Sequence, residues 1–151
     1  MSENTATETT TGTETTGTTK NDGPAPRVLT DQELSQLLRQ QQFGVLASVR
    51  STGHPHLSTV LYDWNAEDHV LRVSSTADRL KVRQLRRDPH TSLHVSGPDI
   101  WSFAVAEGEA EIVDPADGAA PGEQPLPDRR VVILIRVSRL YGTALDIPAQ
   151  D

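Results

Sequence analysis

Apolar residues recur at helical spacing only briefly at first, at Leu34, Leu37 and Leu38 behind a Thr30-Asp31-Gln32-Glu33 capping box. This predicts a short amphipathic helix ending near Gln41. From there the pattern shortens toward alternation. Phe43–Val49, Pro55–Tyr62 and His69–Ser74 read as strands, joined by the turn signals Ser51-Thr52-Gly53 and Asn65-Ala66-Glu67-Asp68. Val82 and Leu85 return to helical spacing between a Ser74-Ser75-Thr76 turn, which offers good N-caps, and Pro89, where a helix must stop. Thr91–Val95 is strand-like, Gly97-Pro98-Asp99 breaks it, and a long strand is expected from Ile100 to Val113. Residues 114–128, rich in Pro, Gly, Asp and Ala, predict a loop. Val131–Val137 is almost continuously apolar, as a strand buried on both faces should be. Six strands and few helices predict a mainly β fold, an antiparallel barrel that closes its own edges.

Composition divides the chain. Ten of the first nineteen residues are Thr, with no apolar run between them. Such a segment buries too little surface to offset its ordering entropy, so residues 1–27 are expected to be a disordered tail. One domain is expected at 28–145, roughly 118 residues around a single core, with 146–151 a flexible C-terminus. The tail has neither the basic n-region nor the apolar h-region of a secretion signal. No stretch approaches the length of a membrane span. With no cysteine in the chain, disulfide and thiol chemistry are excluded, and these features together favour the cytoplasm.

The formal charge is −7, which argues against general nucleic-acid binding. Against that background Arg79, Lys81, Arg83, Arg86 and Arg87 crowd into nine positions with no acid among them. On a helix entered after Thr76, with Asp78 at its positive end, the first free N–H groups lie beside Arg79 and Lys81. That is a site for an anion such as phosphate. At about 100° per residue, Arg79, Arg83, Arg86 and Arg87 fall in one arc opposite Val82 and Leu85, as on any solvated helix face. Lys81 falls at the border of the apolar face, where its stem is expected to be partly buried. It is also the only lysine beyond the tail in a chain of two Lys and twelve Arg. A compact charge on a flexible stem suits phosphate.

Other constellations carry less. His54 with His56, and His90 with His94, could each share a strand face, but neither pair has a carboxylate or cysteine cluster beside it, so no metal site is expected. No phosphate-cradling glycine loop, zinc-protease helix or nucleophile elbow is present. Side-chain acid–base or nucleophilic catalysis is therefore unsupported, no catalytic residue is assigned, and an enzyme of this composition needs a cofactor to carry the chemistry.

The motifs Phe43-Gly44-Val45-Leu46-Ala47, Gly53-His54-Pro55-His56-Leu57-Ser58-Thr59-Val60, Ser75–Pro89, Trp101-Ser102-Phe103-Ala104-Val105-Ala106-Glu107-Gly108 and Tyr141-Gly142 follow one another along residues 29–143. In this order they resemble the flavin/deazaflavin-binding split β-barrel superfamily of pyridoxamine 5′-phosphate oxidase, and within it the actinobacterial F420-dependent oxidoreductases of the B group. The resemblance implies a six-stranded antiparallel split β-barrel with a few short helices, forming a homodimer with cofactor sites at the subunit interface. It further implies an oxidoreductase that binds coenzyme F420 and transfers a hydride between the deazaflavin ring and a small organic substrate, by reduction of a C=C or similar bond. An FMN-binding relative and a non-catalytic F420 or flavin carrier are the alternatives. Carried onto this chain, the resemblance places the cofactor phosphate at Arg79 and Lys81, with Ser58, Thr59, Ser74 and Ser75 along its ring and ribityl chain. Leu80 and Gln84 would line the same pocket, and Trp101 would reach it near the interface.

Overall fold

The computed structural model describes residues 25–114 and 129–146. In chain order these form β1 (Arg27–Val28), α1 (Asp31–Gln40), β2 (Phe43–Val49), β3 (Pro55–Leu61), β4 (Asp63–Asn65), β5 (Val70–Thr76), α2 (Leu80–Arg87), β6 (His90–Ser96), β7 (Phe103–Val113), β8 (Arg130–Tyr141) and β9 (Thr143–Ala144). Among the described residues seven strands make one antiparallel sheet in the order β3-β2-β6-β7-β8-β5-β4, and β1 pairs with β9 apart from it. The sheet curls into a half-barrel. Its end strand β3 approaches β5, but no ladder joins the two, so the barrel stays split on that side.

The six strands expected from the pattern are β2, β3, β5, β6, β7 and β8. The extra strand of the main sheet is β4. It arises because Tyr62 turns inward and donates its hydroxyl to Leu38 O at 2.5 Å, which ends β3 one residue early. The chain then crosses to pair Asp63–Asn65 with β5. His69 closes that hairpin with φ 56°, its ring tilted against Trp64 with centroids 5.5 Å apart. β1 and β9 have two residues each, too short to show any period. They move the domain boundary, because Arg27 pairs in β1 and bonds both Glu33 and Asp146. The expected tail therefore cannot extend to residue 27. Residues 1–24, 115–128 and 147–151, where the remaining tail, loop and C-terminal expectations fall, lie outside the described residues.

The α1 capping box forms as expected, with Thr30 and Glu33 bonding each other's backbone N–H groups. The entry to α2 differs. The helix starts at Leu80 with Arg79 as N-cap and no side-chain cap bond, and its first turn holds no acid. Thr76 instead closes β5 and donates its hydroxyl to Asp78 at 2.9 Å. The candidate caps are consumed by the strand end and its turn. Pro89 follows the C-cap Asp88, whose N–H donates to Gln84 O.

Leu34 and Leu38 of α1 and Val82 and Leu85 of α2 join Leu46, Leu71, Val73, Leu93, Ile133 and Ile135 in one core inside the curl. Near its midpoint β7 carries a bulge between Glu107 and Gly108, where the register to β8 slips by one. A Cβ at Gly108 would strike Arg136 O, so the slip needs glycine there. The expected strand from Ile100 begins only at Phe103. Ile100 and Trp101 stay in a turn that Asp99 Oδ1 caps through Trp101 N–H.

Candidate functional site

Cations concentrate at the β5–α2 junction. Among the described residues no carboxylate lies within ion-pair distance of Arg79, Lys81, Arg83 or Arg86, while Arg87 donates to Val49 O at 2.7 Å. Arg79, Arg83, Arg86 and Arg87 are exposed and Lys81 is half-buried, as the helical arc predicts. Burial, and then repulsion from Arg79, pushes the Lys81 amine below its ordinary pKa. A cation held where it is disfavoured, beside another cation and the N-terminal amides of a helix, is an arrangement that an anion relieves.

The other candidate residues separate by strand parity. Ser58 shares the inner face of β3 with Val60 and His56, and its Oγ is buried with no hydrogen-bond partner among the described residues. Orphaned buried hydroxyls are rare, so this one fits a group from outside the chain. Thr59, one residue on, faces outward. It borders a hollow of about 280 Å³ with Phe43, Val45, His94 and Ser96. Ser75 is buried in β5, whereas Ser74 is exposed and accepts from Arg130 Nη2 at 2.6 Å. Leu80 is 41% exposed at the start of α2.

Gln84 departs from its expected place. It is 4% exposed, and its Oε1 accepts from Ser48 Oγ at 2.6 Å and from His56 Nδ1 at 2.9 Å. Both lone pairs of that oxygen point into the fold, so Gln84 ties α2 to β2 and β3 rather than presenting its oxygen to a ligand. With Nδ1 donating, a neutral His56 leaves Nε2 bare.

Trp101 is not brought to α2 within one chain. It sits two residues before β7, whereas the end of α2 meets β7 at Ala110, whose N–H donates to Pro89 O. The strand between spans about 23 Å at ~3.3 Å per residue.

The outer face of this end of the sheet is apolar. Phe43 lies opposite Leu61, Val45 opposite Thr59 and Ala47 opposite Leu57. Leu57 and Leu61 are more than 60% exposed. The strip continues through His94, stacked on Phe103 with centroids 5.2 Å apart, to Tyr141 beneath the Arg139 guanidinium. A contiguous apolar face of this kind marks an interaction surface.

The histidines are engaged separately: His56 with Gln84, His94 with Phe103, and His90 with Asp88 at 2.8 Å. That last contact raises the His90 pKa and lowers that of Asp88. No group of three metal-ligating side chains assembles among the described residues. Nor is any described helix long and apolar enough to cross a membrane.

Ser48, His56 and Arg130 were not singled out as cofactor-site residues from sequence. Ser48 reads as an ordinary strand serine, and Arg130 lies 56 residues from the Ser74 it touches. Only the β5–β8 register, which sets Thr76 against Arg130, brings it here.

Residues 30–144 match the family described as pyridoxamine 5′-phosphate oxidase, and the chain belongs to that family. Among solved structures it is similar to one named F420 reductase, at 27% identity and a TM-score of 0.57 over 70% of this chain and 94% of that one. A FAD-binding protein from Mesorhizobium loti aligns at 21% identity and a TM-score of 0.63, covering 80% and 97% of the two chains. An FMN-binding protein from Nostoc punctiforme, related to pyridoxamine 5′-phosphate oxidase, aligns at 13% and 0.58 over 76% and 81%. The last two share the fold.

Proposed function

We propose that this protein is an oxidoreductase that binds coenzyme F420 and transfers a hydride between its deazaflavin ring and a small organic substrate, such as one with a reducible C=C bond. The observation that carries this reading is the Arg79–Lys81 pair at the start of α2, with no carboxylate partner among the described residues and the Lys81 ammonium disfavoured by burial. The F420 reductase among its structural relatives supports the choice of cofactor. When bound, the deazaflavin supplies the hydride chemistry. The chain's own residues bind and orient it. Arg79 and Lys81 hold the phosphate, Ser58 offers its orphaned hydroxyl, and Leu80, exposed at the start of α2, offers an apolar contact beside them. The outer edge of β3, which no strand pairs among the described residues, suits a flat heterocycle, because a ligand along an edge meets backbone groups and residues of both faces, Ser58 and Thr59 alike.

FMN is the second reading, favoured by the FMN-binding relative and by the fact that a phosphate anchor serves either cofactor. Titration followed by absorbance and fluorescence separates them. F420 is expected to bind more tightly. FMN binding at least tenfold tighter would transfer the assignment to flavin, and saturation by neither would remove the cofactor reading altogether.

The active form in this proposal is a homodimer in the cytoplasm. The exposed apolar strip of Phe43, Leu57 and Leu61 supports the pairing, and a second copy supplies what one chain lacks, a Trp101 near the α2 end. Sedimentation at micromolar concentration with cofactor present should give a dimer. A monomer alone under those conditions would rule out an interface site.

A further inference from the structure

On the outer face of the sheet, Thr59 of β3, Val45 of β2 and His94 of β6 are direct cross-strand partners and stand in one row. At ~4.8 Å per strand spacing, roughly 10 Å separates the two ends of that row. Phe43 and Ser96, two residues further along their strands, close one side of it, and the hollow between them measures about 280 Å³. Its floor is apolar, Val45 beside Phe43, and its polar groups sit at opposite ends. Thr59 brings a hydroxyl to one end and His94 an imidazole to the other. The His94 ring is held in place, stacked on Phe103 with centroids 5.2 Å apart and 16° between the planes. Stacking occupies a face of the imidazole and not its edge, where both nitrogens lie. In any protonation state that edge carries at least one N–H.

A concave, mostly apolar site with a few placed polar groups is the usual form of a small-molecule pocket, and this volume suits a molecule of one or two rings. We infer that the hollow is the substrate pocket, and that His94 donates a hydrogen bond to an acceptor oxygen of a small planar substrate lying on Val45. The inference rests on the cofactor reading above and deepens it. In that reading the cofactor ring lies along the edge of β3 at Thr59. The bond to be reduced then lies toward Thr59 and the oxygen toward His94. A conjugated carbonyl compound meets both demands, an apolar skeleton whose C=O draws electrons from its C=C. Hydride adds at the β carbon, the C=C electron pair moves to the oxygen, and water returns a proton to the α carbon. A donor placed at the oxygen stabilises the negative charge that develops there. The hollow opens onto the exposed strip of Phe43, Leu57 and Leu61, so the second copy of the proposed homodimer roofs it and excludes water.

The probes are cyclohex-2-enone and cyclohexene, a similar ring without the oxygen. Their binding is followed by NMR shifts of the Thr59 and Val45 methyl signals, in the empty protein and with F420 present. His94→Phe keeps the stack on Phe103 and removes the N–H. It is expected to weaken the enone about fivefold and to leave cyclohexene within about twofold. Val45→Trp fills the hollow and should abolish binding of both. Both variants should bind F420 within about twofold of wild type, while kcat/KM for the enone falls as its binding does. Should Val45→Trp fail to fold, the contrast between the two probes in His94→Phe decides alone. Equal losses for both probes in His94→Phe, or no loss for either, would overturn the hydrogen bond. Enone binding that moves neither methyl signal in wild type, or that survives Val45→Trp, would overturn the pocket. With F420 still titrating normally, either failure belongs to this inference alone. If wild type binds neither F420 nor FMN, the cofactor reading itself has failed.

Discussion

Lys81→Met is expected to weaken cofactor binding roughly ten- to a hundredfold, while the empty protein becomes no less stable. The loss follows from deleting one charge-assisted hydrogen bond to phosphate, worth about 1.5–3 kcal/mol. Methionine keeps an unbranched apolar stem of similar reach, so the packing at the border of α2 survives. The stability half depends on the sign of the Lys81 shift. Its folded pKa lies below its unfolded value, because burial and then Arg79 disfavour the charged form. Below the folded pKa the empty protein therefore carries a penalty for the ammonium. That penalty fades as pH rises from the folded pKa toward the ordinary lysine value, where the unfolded chain binds more protons than the native one. Removing the charge removes the penalty at neutral pH. Bound phosphate acts oppositely, favouring the ammonium and drawing the pKa back up. Arg79→Ala should cost affinity on a similar scale, and Arg86→Ala, on the solvated arc, little. Calorimetric titration together with thermal melts of the empty protein checks both halves. Equal, small affinity losses at Arg79, Lys81 and Arg86 would make the helix a charged surface and put the phosphate elsewhere.

What the sequence showed and what it concealed divide along a physical line. Periodicity is a local signal, and it located every long strand and both helices to within a few residues. The capping box at Thr30 formed because both partners lie within one turn. The α2 cap failed because Thr76 had a competing use, as the last residue of a strand whose hydroxyl turns to Asp78. β4 was hidden because three residues have no readable period, and because the cause, Tyr62 reaching Leu38 O, is a contact across 24 positions. The site follows the same division. The cationic run on α2 is contiguous and was legible. Its half-buried lysine followed from helical angle alone. Ser58 and Thr59 are adjacent in sequence but face opposite sides of β3, and only a strand assignment with its register separates their roles. Gln84 read as a pocket residue, yet its oxygen is claimed by Ser48 and His56, 36 and 28 positions away. No local pattern encodes those partners.

Gln84→Leu should therefore act first on stability. Leucine fills a similar volume but strands two donors, the Ser48 hydroxyl in a buried position and the half-buried His56 Nδ1–H, which now share one oxygen. A buried donor left without an acceptor costs about 1–3 kcal/mol. At a few degrees per kcal/mol for a domain of this size, the thermal midpoint should drop by roughly 5–15 °C. Ser48→Ala alone should cost less, about 0.5–1.5 kcal/mol, because Gln84 keeps His56 and no donor is stranded. The distinguishing measurement is the double variant. In the Gln84→Leu background Ser48→Ala removes an orphaned hydroxyl, so it should stabilise where it destabilised the wild type. The two changes then deviate from additivity by more than the roughly 0.5 kcal/mol typical of independent sites. Additive losses would mean that the Ser48–Gln84 bond contributes nothing. A Gln84→Leu protein that melts like wild type and binds cofactor weakly would instead restore Gln84 to the pocket, as a direct contact with the ligand.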